Sequence, residues 1–371
     1  MLPRSPAQGV TRMPRSRLAH TAWIPLLTAL ALAGCGDDSD PFQQASSALA
    51  DHVLLPSYQS WAETDRRLAD SARAYCAGEQ NLEQAREVLL DAQTAWAALQ
   101  PMLVGPMGEG NRAWQVQFWP DKKNLVGRQV TNLLKAHPQL TRADIENGSV
   151  VVQGLTAYEY VLYDEAVDLA APQVKASYCP LLVAIGEHQQ ALAADIVAQW
   201  QAKDGMVAQL RDFPNDRYAE PSEAIADILR LQVTALDGLK KKLGTPLGRQ
   251  SKGHPQPYQA EAWRSEASLA MLGAALEGAE RLWNGGGQPG LRSLLGDDQQ
   301  ALAKRIDEAY ARAREALVAL DSPLGTLLAD EAGRARVNEF YQRLDDVHRL
   351  HQGELAKTLG IQIGFNAHDG D

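Results

Sequence analysis

An all-α protein built as two helical bundles is the fold that this chain predicts, and three observations predict it. Apolar residues recur at three- and four-residue spacing along most of the 371 residues, helix start and stop signals punctuate those runs, and no internal repeat of solenoid length is present. A polar stretch over 204–220, holding Gly205, Phe213, Pro214 and Tyr218, reads as the crossover between halves. It places the bundles at 42–210 and 211–371.

Residues 1–34 read as an export signal. Arg4, Arg12, Arg15 and Arg17 precede a largely apolar run from Thr21 to Ala33, too short to span a bilayer as a transmembrane helix. The run ends in Leu32-Ala33-Gly34-Cys35, which resembles a bacterial lipobox, so Cys35 is the expected lipidation site and 35–41 a tether. From Ala45 through Val53, Leu54, Tyr58, Trp61 and Leu68 to Tyr75 the spacing predicts one long helix, with Pro56 as a kink. Asn81 then stands as an N-cap with Gln84 at the capping-box position, opening a helix that Pro101 closes.

The loop from Pro101 to Pro120 carries Trp114, Phe118 and Trp119, rings that are costly to leave in water, and is expected to pack over the gap between bundles. Asp121 reads as the cap of a helix from Lys122 to His137, and Thr141 as the cap of a short helix to Glu146. Long amphipathic runs follow over 173–201 and, after Pro221 at a first helical position, over 221–243 with Gly244 beyond the end. Trp263 and Arg264 are expected to open a helix running to Trp283. Further helices are predicted at 297–320, 324–330 and 333–359.

Gly154 to Tyr163 is the stretch that most resembles the lip of a site. Thr156 and Glu159, three apart, share one helical face, with Tyr160 and Tyr163 on the next stripe. A carboxylate among that many rings must be paired, ligate something, or keep its proton. Arg112 is a candidate partner for Glu159, or a holder of an anionic group. His348, His351 and Glu354, at i, i+3 and i+6, form a second candidate metal set, weighed against an ordinary solvated face. The chain has no His-Glu-x-x-His, Cys-x-x-Cys or Gly-x-Ser-x-Gly pattern, and Gly285-Gly286-Gly287 lacks the lysine and hydroxyl residue of a phosphate loop.

Removing residues 1–34 leaves 32 basic against 46 acidic residues, a formal net of −14. Such a surface repels phosphate backbones, so nucleic acid is not expected as a partner. Two cysteines remain after Cys35, namely Cys76 and Cys179. In an oxidising envelope they have one connectivity available, a Cys76–Cys179 bridge, with two buried thiols as the alternative.

Four separated motifs resemble the imelysin-like proteins, a family of bacterial envelope proteins. Its hallmark Gly-x-His-x-x-Glu is matched by Gly154 and Glu159, with Thr156 in place of the histidine. Gly105-Pro106, Arg112 and Phe118-Trp119-Pro120-Asp121 match a second motif, and Trp263-Arg264-Ser265 with Ser268-Leu269-Ala270 a third. The ending Gly364-Phe365-Asn366-Ala367-His368-Asp369-Gly370-Asp371 matches the fourth.

The resemblance implies bundles related by a pseudo-two-fold, with an interface cleft lined by Arg112, Trp119, Thr156, Glu159, Trp263, Arg264 and Ser268. It further implies a periplasm-facing lipoprotein, expected at the outer membrane, that acts as a non-catalytic binding component associated with iron or haem acquisition, alongside uptake components, with iron or haem as the candidate cofactor. The family has also been classed with metallopeptidases. Threonine is a poor ligand for zinc or iron, so Thr156 counts against metal at Glu159 and against peptidase activity. A docking protein without a small ligand is the remaining alternative.

Overall fold

The computed structural model of the chain describes residues 40–364, so the export signal, the lipidation site Cys35 and the motif from Phe365 onward lie outside the described residues. Every regular element among the described residues is helical, and no strand occurs there. Asp40 caps the first helix, Pro41–Leu49, by accepting from the Phe42 amide at 2.8 Å. Pro56 carries no amide hydrogen for the helix ladder, and the turn just ahead of it, Ala50–Leu54, widens into a π turn before the run resumes as Leu55–Ala77. The irregularity expected at Pro56 is thus a bulge within a continuous helical run.

Leu82–Leu99 follows, opened by the reciprocal capping box of Asn81 and Gln84. It packs against Leu55–Ala77, which also packs against the 30-residue Pro172–Gln201 helix, and the three make the first layer. Trp61 meets Trp96 at 5.8 Å and Tyr58 meets Trp200 at 4.6 Å between ring centroids. One end of this layer is fixed covalently. The Cys76–Cys179 disulfide joins Leu55–Ala77 to Pro172–Gln201, with Cα atoms 5.6 Å apart.

In the second half, Pro221–Gly244, Ser268–Asn284, Gln300–Val318 and Glu331–Arg349 surround a core containing Trp283, Tyr310 and Phe340. The predicted helix from Trp263 starts only at Ser268. Residues 260–267 are turns, with Ala262 and Glu266 in the left-handed region, at φ 50° and 58°, which regular helix does not allow.

Leu82–Leu99 also lies against Ser268–Asn284, forming a seam between helices far apart in sequence. A Cβ at Gly278 would stand 2.1 Å from the Ala98 carbonyl oxygen, so the helices touch backbone to backbone there. One apolar core runs from Ala45 to Ala356, through both sides of residue 210. No helix among the described residues is long and apolar enough to cross a membrane.

Candidate functional site

Three segments far apart in sequence converge beside this seam. Leu155–Tyr163 is a short helix whose N-terminus presses on the Arg112–Val116 helix: a Cβ at Gly154 would lie 2.1 Å from the Val116 carbonyl oxygen. Only glycine fits that approach. Two residues on, the Thr156 hydroxyl donates to the Phe118 carbonyl at 3.0 Å, fastening the helix to the aromatic loop. Trp119, in the same loop, donates its ring N–H to the Gln259 carbonyl at 2.9 Å, fastening the loop to the third segment.

Glu159 lies beneath these contacts, 1% exposed. Its Oε1 accepts from the backbone N–H of Ser265 at 2.9 Å and from the Ser265 hydroxyl at 2.7 Å. Burial pushes the carboxyl above its ordinary range; the Ser265 hydrogen bonds and the Arg264 charge pull the other way, and Glu261 adds to the rise.

Glu159→Gln is expected to change the unfolding free energy by less than about 1 kcal/mol near pH 5, because the amide oxygen still accepts from Ser265. A raised folded-state value means that the stability tied to this carboxyl is full below its unfolded value and is lost as pH rises through the folded one. Urea titrations of both proteins at about pH 5 and about pH 8 check this, since the wild type should lose ground to the variant at the higher pH. A wild type that gains ground would contradict it.

Arg264 is buried to 2% exposure of its side chain. Its Nε donates to Asp164 Oδ2 at 2.7 Å and its Nη2 to Asn124 Oδ1 at 3.1 Å, while the guanidinium lies 4.4 Å from the centre of the Trp263 ring and 5.3 Å from that of Tyr160. The remaining nitrogen, Nη1, is buried with no hydrogen-bond partner. Ser268 is close by but committed, its hydroxyl donating to the Glu261 carbonyl at 2.6 Å. The Glu261 carboxylate in turn takes Lys242 Nζ at 2.5 Å.

The space enclosed by Thr156, Glu159, Trp119, Trp263 and Arg264 is about 10 Å3, room for roughly one water molecule. Outside it opens a pocket of about 540 Å3, whose lining includes Tyr163, Asp164, Tyr258, Trp263, Arg264 and Ser268. Trp119, Thr156, Glu159, Trp263, Arg264 and Ser268 therefore come together.

Arg112 does not join them. Its Nη1 donates to the Pro106 carbonyl and lies 3.8 Å from Glu109, so it braces the Gly105–Gly108 turn instead of pairing with Glu159. Asp121 caps as expected, accepting from Leu125 and Val126 amides, although the helix is Leu125–Ala136.

The set His348, His351 and Glu354 does not converge either. His351 donates Nδ1–H to the Val347 carbonyl and turns Nε2 to Tyr310, and burial pushes its pKa down to about 4. His348 faces Lys240, while Glu354 points outward and holds Arg305 with both oxygens. Among the described residues no three His, Cys, Asp or Glu side chains form a group able to hold a metal ion.

Ser265, Asp164, Asn124 and Glu261 were not singled out in the sequence. Ser265 stood inside the Trp-Arg-Ser motif and Asp164 directly after Tyr163, which was the signal available for both.

The model of the imelysin family, peptidase M75, matches residues 54–351. The chain belongs to the imelysin family. Iron-regulated protein A of Synechococcus elongatus is 25% identical over 307 residues, covering 79% of this chain and 80% of that protein. Among solved structures, an imelysin-like protein from Psychrobacter arcticum 273-4 superposes with a TM-score of 0.75 at 23% identity, over 88% of this chain and 97% of its own. An iron-regulated protein A precursor from Parabacteroides distasonis ATCC 8503 gives 0.71 at 16% identity, with coverage of 88% and 97%.

Proposed function

We propose that this imelysin-family protein is a lipid-anchored envelope component, facing the periplasm from the outer membrane, that binds a ligand of an iron or haem acquisition system and catalyses no reaction on it. The observation that carries the binding role is Arg264. It is a buried guanidinium with one nitrogen lacking an acceptor, in the wall shared by the Glu159 cavity and the 540 Å3 pocket. Such a donor is costly to bury unless an oxygen of a ligand completes it. The iron association rests on the cyanobacterial relative named iron-regulated protein A, and the anchor on the lipobox-like Cys35.

A metal-dependent peptidase reading is not supported by the donor set. Thr156 gives its hydroxyl hydrogen to Phe118, and Glu159 is held by Ser265 in a space for about one water. These residues do not fit a metal ion, so no hydrolytic step is derived from them.

The soluble mature chain, residues 36–371, exposed to iron, zinc and copper and then desalted, is expected to retain less than stoichiometric metal by elemental analysis, with Thr156→His measured in parallel. Stoichiometric metal in the wild type would overturn the reading of Glu159. In the producing bacterium, deletion is expected to slow growth under iron chelation, with rescue by the wild type but not by Arg264→Ala. Rescue by Arg264→Ala would remove the binding role from this pocket. Radiolabelled palmitate should enter the wild type and not Cys35→Ser.

A further inference from the structure

A second cavity, of about 400 Å3, shares only Gln117 and Trp119 with the Glu159 cavity and no residue with the outer pocket beside Arg264. Its walls are mainly apolar and include the rings of Trp96, Trp114 and Trp119. Trp114 is 47% exposed, an unusual position for an indole in a finished surface. The volume falls in the range of small-molecule sites.

Gly238 forms part of this cavity wall, in the interior of the Pro221–Gly244 helix, where alanine is the better helix former. A Cβ there would meet nothing within 4 Å, and the backbone is not left-handed. Neither close packing nor conformation calls for a glycine. What the missing side chain does is keep the cavity open.

Three and four residues further along the same helical face stand Lys241 and Lys242. Both belong to the cavity wall, which contains no carboxylate residue. Lys242 spends two of its three donors on Gln100 and Glu261 and lies 5.7 Å from the Trp119 ring centre, while Lys241 pairs with Asp237 at 3.0 Å outside the cavity wall.

We infer that this cavity binds a flat aromatic carboxylic acid, its ring against the Trp114 and Trp119 indoles over Gly238 and its carboxylate toward Lys241 and Lys242. The indoles offer planar apolar faces, the open glycine gives the ring room, and a carboxylate is met by the ammonium hydrogens that Lys241 and Lys242 do not already give to Asp237, Gln100 and Glu261. This site is independent of the ligand proposed at Arg264.

Pyrene-1-carboxylate tests it, by fluorescence anisotropy with the whole mature chain. Saturable one-to-one binding is expected, weakened at least about tenfold by Gly238→Leu and about threefold or more by Lys241→Gln. Pyrene-1-methanol, the uncharged analogue, is expected to bind more weakly than the acid. Circular dichroism melting of Gly238→Leu should match the wild type, because the added side chain enters open space. Absence of saturable binding, or equal affinity in Gly238→Leu, overturns the site. An alcohol that binds as tightly as the acid overturns the assignment of an anionic ligand.

Discussion

Removing the Cys76–Cys179 bridge is expected to lower the unfolding free energy by about 4 kcal/mol. The two cysteines lie 103 residues apart, and the bridge restricts the unfolded chain over that whole loop. It also ties the last turn of Leu55–Ala77 to the early part of Pro172–Gln201, the helices that carry Tyr58 and Trp200 at their other ends. The double variant Cys76→Ser with Cys179→Ser, unfolded in urea beside the wild type, measures the effect without leaving a lone thiol. A loss under about 1 kcal/mol would mean that the unfolded chain is already compact enough to make the bridge redundant.

Gly154→Ala is the second large effect, with an expected loss of at least about 3 kcal/mol. The new methyl would collide with backbone, at 2.1 Å from the Val116 oxygen and 2.5 Å from that of Gln115, and backbone oxygens within a packed helix cannot rotate away as a side chain would. Relief requires the Leu155–Tyr163 helix to back off, which draws Thr156 from Phe118 and Glu159 from Ser265. The variant should therefore lose stability and rescue of iron-limited growth together. Gly238→Ala, where nothing lies within 4 Å, serves as the paired control and should leave stability unchanged or slightly raised. Equal stability of Gly154→Ala and wild type would show that the two helices are not in backbone contact.

Local signals in the sequence were read with little error. The capping box at Asn81 and Gln84 formed as its spacing implied, and Asp121 became a cap although its helix starts later than expected. Cys76 and Cys179 paired. Where a reading depended on a distant partner it was less secure. Arg112 and Glu159 both stood in motif segments, yet Arg112 turned to the carbonyl of Pro106, only six residues away, and Glu159 was taken by Ser265. His348, His351 and Glu354 had spacing suited to one face, but the packing divided them, burying the two imidazoles and leaving the carboxylate to Arg305. The left-handed residues Ala262 and Glu266 were invisible in advance, because neither is a residue type that announces such a turn, and they ended the expected helix at Trp263 before it began.

By itself the sequence determined that the chain is helical and where most of its helices lie, since periodicity and capping act within one or two turns of chain, and its resemblance to the family pointed to Gly154, Glu159, Trp263 and Arg264. Only the tertiary structure decided what those motif residues touch. Ser265 reaches Glu159 across 106 residues and Arg264 reaches Asp164 across 100, pairings made by packing at long range, as where Ser268–Asn284 meets Leu82–Leu99 and Gly278 admits the backbone of Ala98. Spacing along a helix fixes which face a side chain occupies; the partner on the other side of that face is set by how the whole chain packs.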